Sequence, residues 1–188
     1  VVKTTKDDDN AVAIGDIVTY EIETYVPVID PTKTESRTFT VTDKITGADY
    51  YLSGTGSIKK VTVADEDKTT DFDIVPNGNT FTVNFDSLVA SLSNDNAGKK
   101  IVITYTAKVT AVTVENTAIG HSTDKSMSGN KVNLYTGSIE LTKVDANKPS
   151  KGLAGATFNV FKDGDTTTPL KFTKDSDGAY KYDPKNGS

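Results

Sequence analysis

The 188-residue chain has no cysteine and no tryptophan, and only one histidine and one methionine. Without cysteine there are no disulfides and no thiolate metal sites, which excludes a small disulfide-stapled scaffold. The single histidine, His121, has no cysteine beside it and is expected at the surface rather than on zinc. With no tryptophan there is no indole platform for a sugar, and no pair of carboxylates stands out as a glycosidase acid and base. Positive charge is also short, with 21 Lys and Arg against 26 Asp and Glu and a net charge of −5. Phosphate binding needs a basic face, so nucleic acid is excluded as a partner. No apolar run approaches the ~20 residues of a membrane span. No signal peptide opens the chain, as none would in a mature or excised piece. Nothing in the sequence calls for a cofactor; the run Asp7-Asp8-Asp9 lacks EF-hand spacing and reads as a solvated loop.

What is present points to strands. Thr, Val, Asp and Lys dominate, and hydrophobic residues make up 35% of the chain, a balance that favours β-structure over long helices. In the segment 15–22, Val18, Tyr20 and Ile22 face one way while Thr19, Glu21 and Glu23 face the other, as in a half-buried antiparallel strand. Strands are expected at 39–43 and 61–63, with a hairpin of 71–74 and 80–85 around Pro76-Asn77-Gly78-Asn79. The one expected helix is 86–92, capped by Asp86 or Ser87. Along 101–109, Ile101, Ile103, Tyr105, Ala107 and Val109 point inward, and a bulge or turn near Thr110-Ala111 resets the parity before the next strand. With a last strand at 131–135, some eight short strands describe a β-sandwich.

Thr136-Gly137 reads as a boundary. Beyond it, strands are expected at 138–144, at 156–161 with Phe158 and Val160 on one face, and at 180–182, with a polar turn over 145–152. A unit with so few apolar residues is marginal without disulfide or metal, so the second domain is expected to be incomplete.

Three of these strands carry a reactive side chain on the apolar face. Asp43 shares a face with Phe39 and Val41; Asn116 with Val112, Val114 and Ala118; Lys143 with Ile139 and Leu141. Burying a carboxylate, a carboxamide or an amine costs roughly several kcal/mol unless each finds a partner. The opening segment 1–6 offers such a partner in Lys3, with Lys6 as a competitor. A lysine, an aspartate and an asparagine in one dry core are what a self-formed isopeptide crosslink requires. Each also has a plainer reading. Lys3 can be an exposed terminal lysine, Asp43 a cap on the turn 44–47, Asn116 a buried asparagine satisfied by backbone groups, and Lys143 a snorkelling edge residue.

The ordered set Val2-Lys3-Thr4, Gly15-Asp16-Ile17-Val18-Thr19-Tyr20-Glu21-Ile22, Val41-Thr42-Asp43 and Glu115-Asn116-Thr117-Ala118 resembles the middle domains of sortase-assembled pilus backbone proteins of Gram-positive bacteria. Residues 137–145 and 152–158, Gly137-Ser138-Ile139-Glu140-Leu141-Thr142-Lys143-Val144-Asp145 and Gly152-Leu153-Ala154-Gly155-Ala156-Thr157-Phe158, resemble the opening of a B-type domain of the same proteins. The resemblance implies an all-β chain. An immunoglobulin-like β-sandwich of the collagen-adhesin A type would span 1–136, and the N-terminal part of a second sandwich 137–188. It implies Lys3 as nucleophile, Asn116 as electrophile and Asp43 as the acid that assists them. Lys143 matches the reactive lysine of the B-type domain, but the family's glutamate and terminal Asn or Asp do not follow, so no second bond is expected within this chain. The pilin Tyr-Pro-Lys motif is missing, since Tyr182-Asp183-Pro184-Lys185 only superficially resembles it, and so is a Leu-Pro-x-Thr-Gly sorting signal. The chain reads as a central fragment of a longer protein.

The function implied is structural: a shaft module on the outer cell wall, joined to other pilin subunits by sortase, and not an enzyme beyond one autocatalytic turnover. The alternative is a ligand-binding adhesin module that meets a host extracellular-matrix protein. It would need an exposed groove, for instance a trench lined by Tyr50, Tyr51 and Tyr105. A third possibility keeps the fold with unreacted side chains, as a spacer.

Overall fold

The computed structural model describes residues 1–6, 12–34, 36–123, 125–135, 143–161, 164–174, 176, 178, 180–182 and 187. The Asp7-Asp8-Asp9 loop, the Thr136-Gly137 boundary, the expected strand residues 138–142 and Asp183-Pro184-Lys185 lie outside the described residues.

In chain order the elements are β1 (Val2–Thr5), β2 (Ile17–Tyr25), β3 (Phe39–Thr46), β4 (Ala48–Tyr50), β5 (Lys59–Val63), β6 (Glu66–Asp67), β7 (Pro76–Asn77), β8 (Thr80–Asn84), α1 (Asp86–Val89), β9 (Lys100–Val109), β10 (Thr113–Ser122) and β11 (Ser126–Tyr135). One six-stranded sheet runs β1-β2-β9-β5-β6, with β4 also paired to β9; a five-stranded sheet runs β11-β10-β3-β8-β7. Every strand pair is antiparallel. The two sheets form a β-sandwich, richer in strands than the eight expected. Its core follows from alternation, broken in β9 at Thr106, which is buried between Tyr105 and Ala107. Val18, Tyr20, Ile22 and Thr24 of β2 meet Ile101, Ile103, Tyr105, Ala107 and Val109 of β9 from one sheet, while Phe39, Val41 and Ile45 of β3 face inward from the other.

The parity break after Val109 is a turn. Thr110 N and Ala111 N both donate to Gly47 O, at 2.9 and 3.0 Å, so the β9–β10 corner is pinned to the β3–β4 corner. Gly47 has φ +75°, and a Cβ there would lie 2.0 Å from Thr113 O. Gly47→Ala is therefore expected to cost more than about 1 kcal/mol in urea unfolding, because neither the backbone angle nor the space admits a methyl group. A variant as stable as the parent would show that the corner can open.

Several expectations need correction. The helix is one turn, Asp86–Val89, not 86–92, and its N-cap is Phe85 with no side-chain cap. Asp86 is engaged elsewhere: its carboxylate accepts from Phe39 N at 2.8 Å and from Asn84 Nδ2 at 2.9 Å, tying the helix to β3 and β8. The hairpin is β7–β8 around Gly78, and 71–74 is not a strand. Val112, expected on the core face of the Asn116 strand, precedes β10 in the turn and is 52% exposed.

Among the described residues beyond 142 there are two small antiparallel ladders, β12 (Val144–Asp145) with β13 (Lys148–Gly152), and β14 (Phe172–Lys174) with β15 (Tyr180–Tyr182). The expected polar turn over 145–152 is thus largely a hairpin. Residues 156–161 form no strand, and Phe158 and Phe161 are exposed. Alternating apolar residues need a neighbouring strand to become one, and no described strand pairs with them, although Leu170 N donates to Val160 O at 2.7 Å.

Candidate functional site

Strand β1 reverses the usual sorting of side chains. Its pairing with β2 sets Lys3 opposite Ile22, so Lys3 is 1% exposed while Val2 beside it is 55% exposed. The strand is held there by a side chain from the other sheet. Lys3 N donates to Asn130 Oδ1 and Asn130 Nδ2 donates to Lys3 O, each at 2.7 Å. At Gly129 a Cβ would lie 2.4 Å from Ala118 O, so only glycine fits where β11 crosses the irregularity in its pairing with β10, and it would press on Val1 at 3.2 Å. Asp43 points inward from β3, with Ala118 opposite, and Asn116 points inward from β10, with Ile45 opposite. Sequence parity thus brings one amine from one sheet against a carboxyl and a carboxamide from the other.

The three side chains meet around a phenol. Lys3 Nζ donates to Asp43 Oδ2 and, at 2.6 Å, to the Tyr105 hydroxyl. That hydroxyl donates to Asp43 Oδ1 at 2.8 Å and accepts from Asn116 Nδ2 at 2.7 Å. The Tyr50 hydroxyl donates to the same Asp43 oxygen at 2.9 Å. Asp43 therefore reaches Asn116 through Tyr105. Asn116 Oδ1 is buried with no hydrogen-bond partner, which costs about 1–3 kcal/mol and leaves free the oxygen on which charge would develop if Cγ were attacked. The walls are aromatic. Tyr20 stacks on Tyr105 at 5.5 Å, Phe81 meets it edge-on at 5.1 Å, and Lys3 Nζ lies 4.9 Å from the Tyr105 ring centroid.

Burial governs the protonation of this cluster. It pushes the Lys3 amine down to about 8, outweighing the attraction of Asp43. It pushes the Asp43 carboxyl up, outweighing Lys3 and the hydrogen bonds from Tyr105 and Tyr50. Both directions favour a neutral amine beside a neutral acid. Burial and the adjacent Asp43 also raise Tyr105 and Tyr50, so both hydroxyls keep their protons.

Lys6, the competing lysine, is exposed and pairs with Glu21 at 3.0 Å. Lys143 is exposed, and its carbonyl accepts from Leu153 N at 2.8 Å; Ile139 and Leu141 lie outside the described residues. His121 is exposed, with Nδ1 2.8 Å from Ser126 Oγ. Among the described residues no group of three His, Cys, Asp or Glu could hold a metal, and no helix is long and apolar enough to cross a membrane. Tyr105 and Tyr50, which the adhesin alternative would need as walls of an open trench, are the polar hub of the site, Tyr105 fully buried and Tyr50 partly so. A signal existed: Tyr105 sits on the inward parity of β9, and a buried phenol needs a partner for its hydroxyl.

No protein-family model matches this chain, and no curated protein matches it. Solved structures do. The N-terminal domain of the Streptococcus gordonii adhesin Sgo0707 gives a TM-score of 0.54 at 21% identity, over 72% of this chain and 32% of that one. Two domains of the major pilin SpaD from Corynebacterium diphtheriae give 0.51 at 23% identity, over 71% of this chain and 51% of that one. The C-terminal domain of the Streptococcus agalactiae AgI/II polypeptide BspA gives 0.52 at 13% identity, over 72% and 49%. The chain thus spans about a third to a half of these three structures. The likeness is one of fold: the β-sandwich found in Gram-positive pilus and adhesin domains.

Proposed function

We infer that this chain is a structural module of a Gram-positive surface pilus shaft, stabilised by a self-formed amide between Lys3 and Asn116. The observation that carries the reading is the burial of Lys3, Asp43 and Asn116, at 1%, 0% and 0% exposure, in one hydrogen-bonded cluster. A buried lysine without a chemical task is among the least stable choices for a core position. In the reaction the neutral Lys3 amine attacks Asn116 Cγ, the Cγ–Nδ2 bond breaks, and ammonia leaves. Asp43 holds the proton that is exchanged. The amide would join β1 at the start of the sandwich to β10 in the facing sheet, so tension applied at the two ends would bypass much of the hydrogen-bonded ladder.

In the same reading, residues 1–136 are the crosslinked sandwich and 137–188 open a second one, whose Lys143 would find its partner outside this chain. The surrounding shaft would consist of like subunits joined by sortase on the outer cell wall. A ligand-binding adhesin module is the alternative. It loses support where Tyr50 and Tyr105 spend their hydroxyls on Asp43 rather than lining a groove.

Intact mass is the test. The purified chain is expected to weigh about 17 Da less than its sequence, the mass of one ammonia, and both Lys3→Ala and Asn116→Ala are expected at full mass. A parent at full mass removes the crosslink and leaves an ordinary sandwich.

A further inference from the structure

Among the described residues Asp43 is the only carboxylate hydrogen-bonded to Lys3, yet its link to the departing nitrogen of Asn116 is indirect. We propose that the Tyr105 hydroxyl is a catalytic proton relay, carrying the proton held by Asp43 to Asn116 Nδ2 as ammonia leaves. The proposal rests on the crosslinking reading above and assigns that site a fourth chemical member.

The geometry forms a closed chain from Lys3 Nζ to Asp43 Oδ2, across the carboxyl group to Oδ1, then to the Tyr105 hydroxyl and on to Asn116 Nδ2, with the last two links at 2.8 and 2.7 Å. In the resting amide Nδ2 is a donor, because its lone pair is delocalised into the carbonyl, and Tyr105 accepts from it. Attack by Lys3 makes Cγ tetrahedral and ends that delocalisation. Nδ2 then carries a localised pair and becomes the acceptor, so the phenol turns its proton toward it. The Cγ–Nδ2 bond breaks with Nδ2 taking the bonding pair and the Tyr105 proton, which completes ammonia. Tyr105 is reprotonated from Asp43, and Asp43 takes back a proton from the Lys3 nitrogen, now bonded to Cγ. Each group except the reacting pair ends as it began, and no outside acid, base or water is consumed.

The site suits a relay better than direct transfer. Water, the ordinary shuttle, has little room where the rings of Tyr20 and Phe81 pack at 5.5 and 5.1 Å from that of Tyr105. The Tyr105 ring is held by both neighbours, so its oxygen is fixed before the reaction begins. Tyr50 touches Asp43 but has no hydrogen bond to Lys3 or Asn116, and it can only help to hold the carboxyl in place.

The test follows the full chain from the moment of synthesis. Cell-free translation is quenched in acid at intervals, and the fraction lighter by one ammonia is read by mass spectrometry. Tyr105→Phe keeps the ring and removes the hydroxyl; it is expected to crosslink about 100-fold more slowly than the parent, the usual scale of a lost acid–base group. A folded Tyr105→Phe that reacts at the parent's rate overturns the relay and leaves the crosslink standing. A parent that never loses ammonia overturns both. If Tyr105→Phe does not fold by circular dichroism, 3,5-difluorotyrosine at position 105 decides, since it keeps size and hydroxyl but makes the phenol more acidic. A relay predicts a displaced pH–rate profile for that protein, and an unchanged profile refutes it.

Discussion

Asn116→Ala is expected to lower the melting temperature by about 10–20 °C, a loss set mainly by the crosslink it removes. An amide between residues 3 and 116 closes a loop of over a hundred residues. The loop-entropy argument developed for disulfides gives roughly 4–5 kcal/mol for a closure of that size. In a chain of this length each kcal/mol moves the melting point by about 2–4 °C. The substitution's other effects are smaller and partly opposed. It removes the hydrogen bond from Nδ2 to Tyr105, but also the buried Oδ1 that has no partner, so packing and polar terms together come to about 1–2 kcal/mol. The freed Lys3 amine adds a cost of its own at neutral pH, which a comparison near pH 10.5 removes. Differential scanning calorimetry separates the cases. A drop within the range of the smaller terms would mean that no covalent bond was lost, even if the variant's mass is unremarkable.

The fold and much of this site could be read from alternation, because burial in a sandwich is imposed strand by strand. β2 and β9 reveal their inward faces over nine and ten residues, and a polar residue on such a face stands out as Asp43 and Asn116 do. Lys3 was harder, since β1 has four residues and offers almost no pattern; Val2 and Lys3 sort against hydrophobicity because pairing to β2 and the clamp from Asn130 decide the register. That clamp spans 127 residues of sequence, and no local signal marks it. The hub role of Tyr105 was hidden for a different reason. Its inward parity was evident, but whether a buried phenol meets a carboxyl, a backbone carbonyl or a ligand depends on which strands face it across the sandwich. The same dependence explains 156–161, where Phe158 and Val160 alternate as in a strand but no described strand pairs with them.

The unreacted cluster should carry a distinctive dependence of stability on pH. In an Asn116→Ala chain Lys3 stays an amine, with its folded value lowered to about 8 against an ordinary value of 10.5. Between those two values the unfolded chain binds a proton that the folded chain does not. Stability therefore rises with pH through this window, by up to about 3 kcal/mol at 1.36 kcal/mol per unit. Asp43 works in the opposite sense: its folded value is raised by burial, so its contribution is present at low pH and is lost as pH climbs through that raised value. Exposed pairs oppose the alkaline rise, since Lys100 is raised by its bond to Glu23 and loses stability as it deprotonates. They are common to every variant and cancel in a difference. Urea unfolding of Asn116→Ala, compared between pH 7.5 and 10.5 with the same chain also carrying Lys3→Met, isolates the buried amine. The excess rise in the chain that keeps Lys3 is the expected result. Equal slopes would mean that Lys3 is solvated and charged in the folded chain, and an amine in that state could not attack Asn116. The parent should lack the rise altogether, because an amide nitrogen has no proton to release in this range.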